Sequence, residues 1–104
     1  MIRERKIIMA CQVLVEFRIK DGCEEKLKQT IKQFLPDTRD FPGCLTLHMV
    51  RDKEDPTKII IVEMWESKDD YDKYLAWRTD RGDVNLLSDF WEDPTWRFFD
   101  FWGA

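Results

Sequence analysis

The sequence predicts an α+β domain of ferredoxin-like type: a βαββαβ antiparallel sheet with both helices on one face. Three observations carry this. Residues 11–20 alternate apolar and polar with period 2, residues 23–35 switch to helical spacing, and the remainder repeats the theme as strand, strand, helix, strand. Right-handed crossovers then place both helices on the same side of one sheet, with the last strand at an edge.

The elements follow in order. In CQVLVEFRIK, residues 11–20, Val13, Val15, Phe17 and Ile19 point one way and Gln12, Glu16 and Arg18 the other, with Leu14 the exception. Asp21-Gly22 breaks that strand. From 23 to 35 a stripe of Cys23, Leu27, Thr30, Ile31 and Phe34 lies opposite Glu24, Lys28 and Lys32. Pro36 lacks an N–H, so the helix is expected to end or kink there. Phe41-Pro42-Gly43 signals a turn. A second strand spans 44–51 with Leu45, Leu47 and Met49 on one face, and residues 53–57 form a polar hairpin-length loop. The third strand, KIIIVEMWE, is apolar on both faces from Ile59 to Val62, which suits a central position. Ser67 with Asp70 has capping-box-like spacing, and the helix it opens stacks Tyr71, Tyr74, Leu75 and Arg78 until Arg81-Gly82. Residues 83–92 read as a shorter helix or ordered loop closed by Asp93-Pro94. TWRFFDFW, from Thr95 to Trp102, reads as the fourth strand.

A chain of 104 residues holds one such domain, at residues 11–104, behind an N-terminal extension of residues 1–10. Met9 offers an alternative start, because the patterned sequence begins just after it. Hydrophobic residues at 43% and charged residues at 37% describe a folded, soluble chain. The net charge of −4 resides entirely in residues 83–104, which leaves no basic face for nucleic acid. No apolar run reaches membrane-spanning length. Cys11, Cys23 and Cys44 are odd in number, widely spaced and without a CxxC pair, so they suit a reducing cytoplasm and act as small core fillers. His48 is the only histidine, which excludes a three-histidine metal site. Aromatic residues make up 13% of the chain, and seven fall in the last fifteen positions. An edge strand so rich in aromatics invites pairing, so a homodimer through residues 95–102 is expected.

The motifs resemble the antibiotic biosynthesis monooxygenase domain. VEFRIK followed by DG, then FPGCLTLHMVRDKEDPTKIIIVEMWESKDDYDKYL, carries a PGC…RD…DP…E-x-W-E-S pattern over roughly residues 12–77. The resemblance implies a dimeric α+β barrel of two ferredoxin-like sheets. Some members of the family are cofactor-independent oxygenases of quinols or polycyclic hydroxyaromatics, others degrade haem or process signal molecules, and some have no known activity. By the same resemblance Trp65 and Tyr71 match pocket residues of the aromatic-oxidising members, with no cofactor required. The asparagine those members carry four residues before the tryptophan is Ile61 here, and their Pro-His after the second helix begins is replaced by WRTDRG. The haem-degrading pattern needs an asparagine on the first strand and a histidine after the second helix. Both are missing, so haem degradation by that route is not expected.

The candidate residues each carry two readings. Trp65 is a wall for a flat substrate or a buried strand residue. Arg78, in the middle of an apolar stripe, either snorkels to water or holds a phenolate in a pocket between helix and sheet. Arg81 is a helix C-terminal charge or a pocket contact. His48 is the default general base, or a structural strand residue. Tyr71 and Tyr74 are core residues with hydroxyls at the pocket rim, and Trp77 flanks the entrance. The leading expectation is therefore a cofactor-free oxygenase with His48 as base, Arg78 as phenolate stabiliser, and Trp65, Tyr71, Tyr74, Trp77 and Arg81 contacting a small aromatic ligand. The alternative is a non-catalytic binding or dimerisation module of the same fold. A cavity of ~300 Å3 or more between Trp65 and Arg78 is what a ligand site requires.

Overall fold

The structure, a computed structural model, describes residues 10–102. The expectations for the N-terminal extension and for Met9 as a start lie outside the described residues, apart from Ala10. Strand β1 (Cys11–Ile19) leads to helix α1 (Glu24–Asp40), strands β2 (Cys44–Arg51) and β3 (Lys58–Trp65), helices α2 (Lys68–Asp80) and α3 (Asp83–Leu87), and strand β4 (Trp91–Asp100). The sheet order is β2-β3-β1-β4 and every pairing is antiparallel, so β3 is central and β4 an edge, as the topology argument requires.

Strand parity decides what faces the helices. Cys11, Val13, Val15 and Phe17 of β1 are all buried, and their neighbours across β3 are Trp65, Glu63, Ile61 and Ile59. Trp96 and Phe98 of β4 lie beside Val15 and Val13 in the same rows. Two apolar clusters result. One holds Cys11, Val13, Val15, Trp65 and Tyr71, and the other holds Phe17, Leu27, Ile59, Leu87 and Trp91. The opposite, helix-free face carries Leu14, Ile60, Val62 and Met64, none fully buried, with Val50 and Phe99 exposed.

Three local expectations are corrected. Of the two outcomes expected at Pro36, the ending is overturned: helix α1 runs through it to Asp40. The backbone hydrogen bond that proline forfeits is offset by a local one, Thr38 Oγ1 to Phe34 O at 3.1 Å, and by two tertiary ones, Thr38 Oγ1 with Tyr74 Oη at 2.7 Å and Arg78 Nη2 to Phe34 O at 2.8 Å. In β2 an extra residue between Cys44 and Thr46 forms a bulge, so Leu45 does not share the face of Leu47 and Met49 and is 43% exposed. Strand β4 begins at Trp91, not Thr95, because Asp93-Pro94 does not close the preceding segment. It forms a second bulge, opposite Glu16 to Arg18, with Asp93 at φ 55. An edge-strand bulge is where a sheet tolerates proline.

Candidate functional site

The helix-facing parity of β3 builds the floor of the site. Ile59, Ile61 and Trp65 are apolar, and Glu63 sits among them with 4% of its surface exposed. Trp65 is wholly buried, and its Nε1 donates to Glu63 Oε1 at 3.2 Å. The roof is α2, started by Ser67, whose hydroxyl accepts from the Asp70 amide at 3.1 Å. The helical stripe then sets Tyr71 and Tyr74 over the Trp65 ring, with centroids 5.6 and 5.0 Å away. Phe41 closes one side at 5.3 Å from Tyr74 and 5.4 Å from Trp77. Tyr71 Oη receives the Trp96 indole N–H at 2.8 Å, fastening β4 to the roof.

Arg78 neither snorkels nor stands free. It is 3% exposed and its donors are committed. Nε donates to Tyr74 Oη at 3.0 Å, Nη1 to Asp83 Oδ2 at 2.9 Å, and Nη2 to Phe34 O at 2.8 Å and Thr38 Oγ1 at 2.9 Å. Its guanidinium also stacks on Phe34 and Trp77, at 4.5 and 4.7 Å from the ring centroids. One guanidinium thus joins α1, α2 and α3. Arg81 is exposed and shares the same Asp83 oxygen through Nε at 3.1 Å, while its own guanidinium lies 4.9 Å from the Trp77 ring.

The electrostatics single out Glu63. Burial pushes its carboxyl up to about 7, against the opposing hydrogen bond from Trp65. Burial likewise raises the Tyr71 and Tyr74 hydroxyls, so both rings remain neutral phenols. The Cys44 thiol is pushed up to about 11, again by burial and then by Glu63, which keeps it protonated and weakly nucleophilic.

A cavity of about 70 Å3 lies between roof and floor, lined in part by Glu63, Tyr71, Tyr74, Arg78, Asp83 and Trp96. The structure therefore brings Tyr71, Tyr74 and Arg78 onto the cavity, while Trp65 and Trp77 pack against the Tyr74 ring without lining it, and Arg81 stands at the margin. His48 is not brought in: it pairs with Val62 in register, on the helix-free face, and is exposed. Sequence reasoning passed over Glu63, although an acid sharing parity with Ile59, Ile61 and Trp65 was a readable signal. It also passed over Asp83 and Thr38, whose roles depend on how helices meet and leave no pattern in the chain. Among the described residues no group of three or more His, Cys, Asp or Glu side chains is placed to hold a metal ion, and no helix is long and apolar enough to cross a membrane.

Solved structures with this architecture are numerous. A conserved protein of Methanosarcina mazei superposes with a TM-score of 0.83 at 16% identity, covering 91% of this chain and 95% of that one. SnoaB, a cofactor-independent oxygenase from Streptomyces nogalater, gives 0.78 at 12% identity, covering 91% and 95%. A protein of Shewanella oneidensis gives 0.79 at 18% identity, covering 90% and 92%. At these identities the likeness is one of fold. No curated protein matches the sequence. The model of the antibiotic biosynthesis monooxygenase family matches residues 11–79, from the first strand almost to the end of α2. That span contains both the Glu63–Trp65 floor and the tyrosine roof, and the chain belongs to the antibiotic biosynthesis monooxygenase family.

Proposed function

We propose that the protein is a cofactor-independent oxygenase of a hydroxyaromatic or quinol, with Glu63 as its general base. The observation that carries this is a buried carboxylate, at the edge of ionisation near neutral pH, bonded to the Trp65 indole and facing a cavity walled by Tyr71 and Tyr74. His48 gives up the role expected of it because the other sheet face separates it from these groups. Arg78 serves as a positioning residue, holding Tyr74 and the α1–α3 seam.

The chemistry needs little more than a base and a dry pocket. In its keto tautomer a polycyclic hydroxyaromatic carries a ring CH2. Glu63 takes one proton, and the resulting electron-rich anion reduces dioxygen. One oxygen atom remains on the ring carbon as C=O and the other leaves as water with the two hydrogens, so no external reductant enters. Tyr71 and Tyr74 flank the ring plane, and burial keeps water from the anion.

The cavity sets a condition. The resting volume of about 70 Å3 falls short of the ~300 Å3 expected of a ligand site, so substrate entry requires a wall to move outward. Helix α3 is the lightest wall, being five residues long and joined to α2 through the Asp83 ion pairs. The small volume and the committed donors of Arg78 favour a second reading, a non-catalytic module in which the same residues are simply core. Oxygen uptake decides between them. A panel of anthrones and hydroquinones is offered to wild type and to Glu63→Gln. Uptake above autoxidation that falls by ~10²-fold or more in the variant supports the oxygenase; no uptake on any compound favours the module.

The helix-free face, with Leu14, Ile60, Val62 and Met64 incompletely covered and Phe99 exposed, supports a homodimer in which two sheets face each other. The expected pairing through the C-terminal strand is part of this proposal, with Phe101 and the fully exposed Trp102 as its outermost contributors.

A further inference from the structure

Helix α1 borders an open groove along its N-terminal half. Its C-terminal half is tied to α2 through Thr38 and the Phe34 carbonyl, whereas the other half is fixed by Leu27, buried against Phe17 and Ile59, and by the Glu24–Arg51 ion pair at 2.8 Å. The wedge between is an open groove of about 540 Å3. Its walls are Phe17, Leu27, Ile31, Leu35, Met49 and Ile59, and it shares no lining residue with the Glu63 cavity. At its mouth Lys28 and Lys32 stand one helical turn apart, and neither forms an ion pair among the described residues. Arg51 is already matched by Glu24. Two like charges at i, i+4 weaken a helix, and an anion between them relieves that repulsion. An apolar trough of ligand size whose lip carries Lys32 and Lys28, the latter only in longer-range attraction to the Arg51-paired Glu24, has a definite complement.

We propose that this groove binds an amphipathic organic anion, its aliphatic body along Phe17, Ile31 and Met49 and its carboxylate between Lys28 and Lys32. The site is independent of any chemistry at Glu63. Calorimetric titration of the full chain with decanoate tests it. The expected result is saturable binding, one decanoate per chain, with a midpoint below about 1 mM. Lys28→Glu with Lys32→Glu changes only exposed side chains and weakens binding by at least about tenfold, with circular dichroism unchanged. Ile31→Trp, which fills the trough, abolishes it, and Glu63→Gln binds decanoate as wild type does. No saturable heat up to about 1 mM, binding indifferent to the lysine reversals, or binding lost in Glu63→Gln overturns the proposal.

Discussion

The Arg78 guanidinium and the Asp83 carboxylate meet at 2.9 Å with only 4% and 11% of their side chains exposed, although they stand five positions apart across a helix break. A charge pair so withdrawn from water persists because each partner is satisfied several times over. Arg78 also bonds Tyr74, Thr38 and the Phe34 carbonyl, and Asp83 also receives Arg81. The pair therefore locks three helices over the Glu63 cavity, and it determines how firmly that cavity is shut.

Removing one partner strands the other. Asp83→Ala is expected to cost ~3–5 kcal/mol in urea unfolding, as is typical when a buried ion pair loses one member. Arg78→Lys is expected to fall well short of wild type, since an ammonium cannot reach Tyr74, Asp83 and the α1 carbonyl at once. The double change Arg78→Met with Asp83→Leu should recover most of the loss. Equal destabilisation in the single and double variants would refute a paired charge.

Glu63 gives the protein a specific pH signature. Its carboxyl titrates near 4.5 in an unfolded chain and at about 7 in the fold. Below the first value both states hold the proton and the contribution to stability is complete. As pH rises toward 7 the unfolded state loses the proton first, so stability falls, and above about 7 the contribution is gone. The full span corresponds to about 3 kcal/mol. Glu63→Gln keeps the shape and removes the charge, so it should exceed wild type in stability at pH 8 and match it at pH 4.5. Urea midpoints of the two proteins across that range check this. An active wild type should show its rate climbing with pH through the same region.

The strands and their faces were legible because burial on one side imposes period 2, and β3 declared its central place by being apolar on both sides. The α2 stripe was equally legible, and it located Tyr71, Tyr74 and Arg78 on one face. The fate of Arg78 was not, because whether a long cation reaches water depends on Asp83 and Thr38 arriving from other helices. The bulges at Leu45 and Asp93-Pro94 escaped for a related reason: one inserted residue reverses parity, and only cross-strand register reveals it. The aromatic tail also divides differently from expectation. Trp91 and Trp96 pack into the chain's own core, leaving the later rings toward solvent.

Tyr71→Phe isolates one bond of the roof. Trp96 Nε1 donates to Tyr71 Oη at 2.8 Å, and the variant leaves that indole without its partner inside a largely apolar setting. A loss of ~1–3 kcal/mol is expected. A change in tryptophan emission should accompany it, and Tyr71→Phe with Trp96→Phe should cost less than the two single losses combined. Strict additivity would mean the bond contributes nothing.

Gly43 is fixed by two independent constraints. Its φ of +94 favours glycine, and a Cβ there would lie 2.6 Å from Asp70 Cβ. Its carbonyl receives the Glu66 amide at 2.8 Å, just before the Ser67 cap. Gly43→Ala must therefore either distort the turn or push the start of α2, carrying Tyr71 and Tyr74 away from Trp65. A loss above ~2 kcal/mol is expected; thermal unfolding indistinguishable from wild type would contradict it.

The helix-free sheet face carries the last prediction. A stable association needs about 800 Å2 from each partner, and a four-stranded sheet face bearing Leu14, Ile60, Val62 and Met64, with Val50 and Phe99 exposed, offers apolar surface of the right kind. Light scattering after size exclusion should report a dimer at micromolar concentration. Val62 lies at the centre of that face, between Leu14 and His48 in register, and its side chain points away from the cavity. Val62→Lys should thus yield monomers while leaving the near-neutral titration of Glu63 in place, because the two residues sit on opposite faces of the same strand. Trp102→Ser, at the 101% exposed end of the tail, should weaken association less than Val62→Lys if the sheets meet face to face, and more if the terminal strand is the main contact. A wild-type monomer would remove the dimer from the reading altogether, and with it the only role for the aromatics that the core does not use.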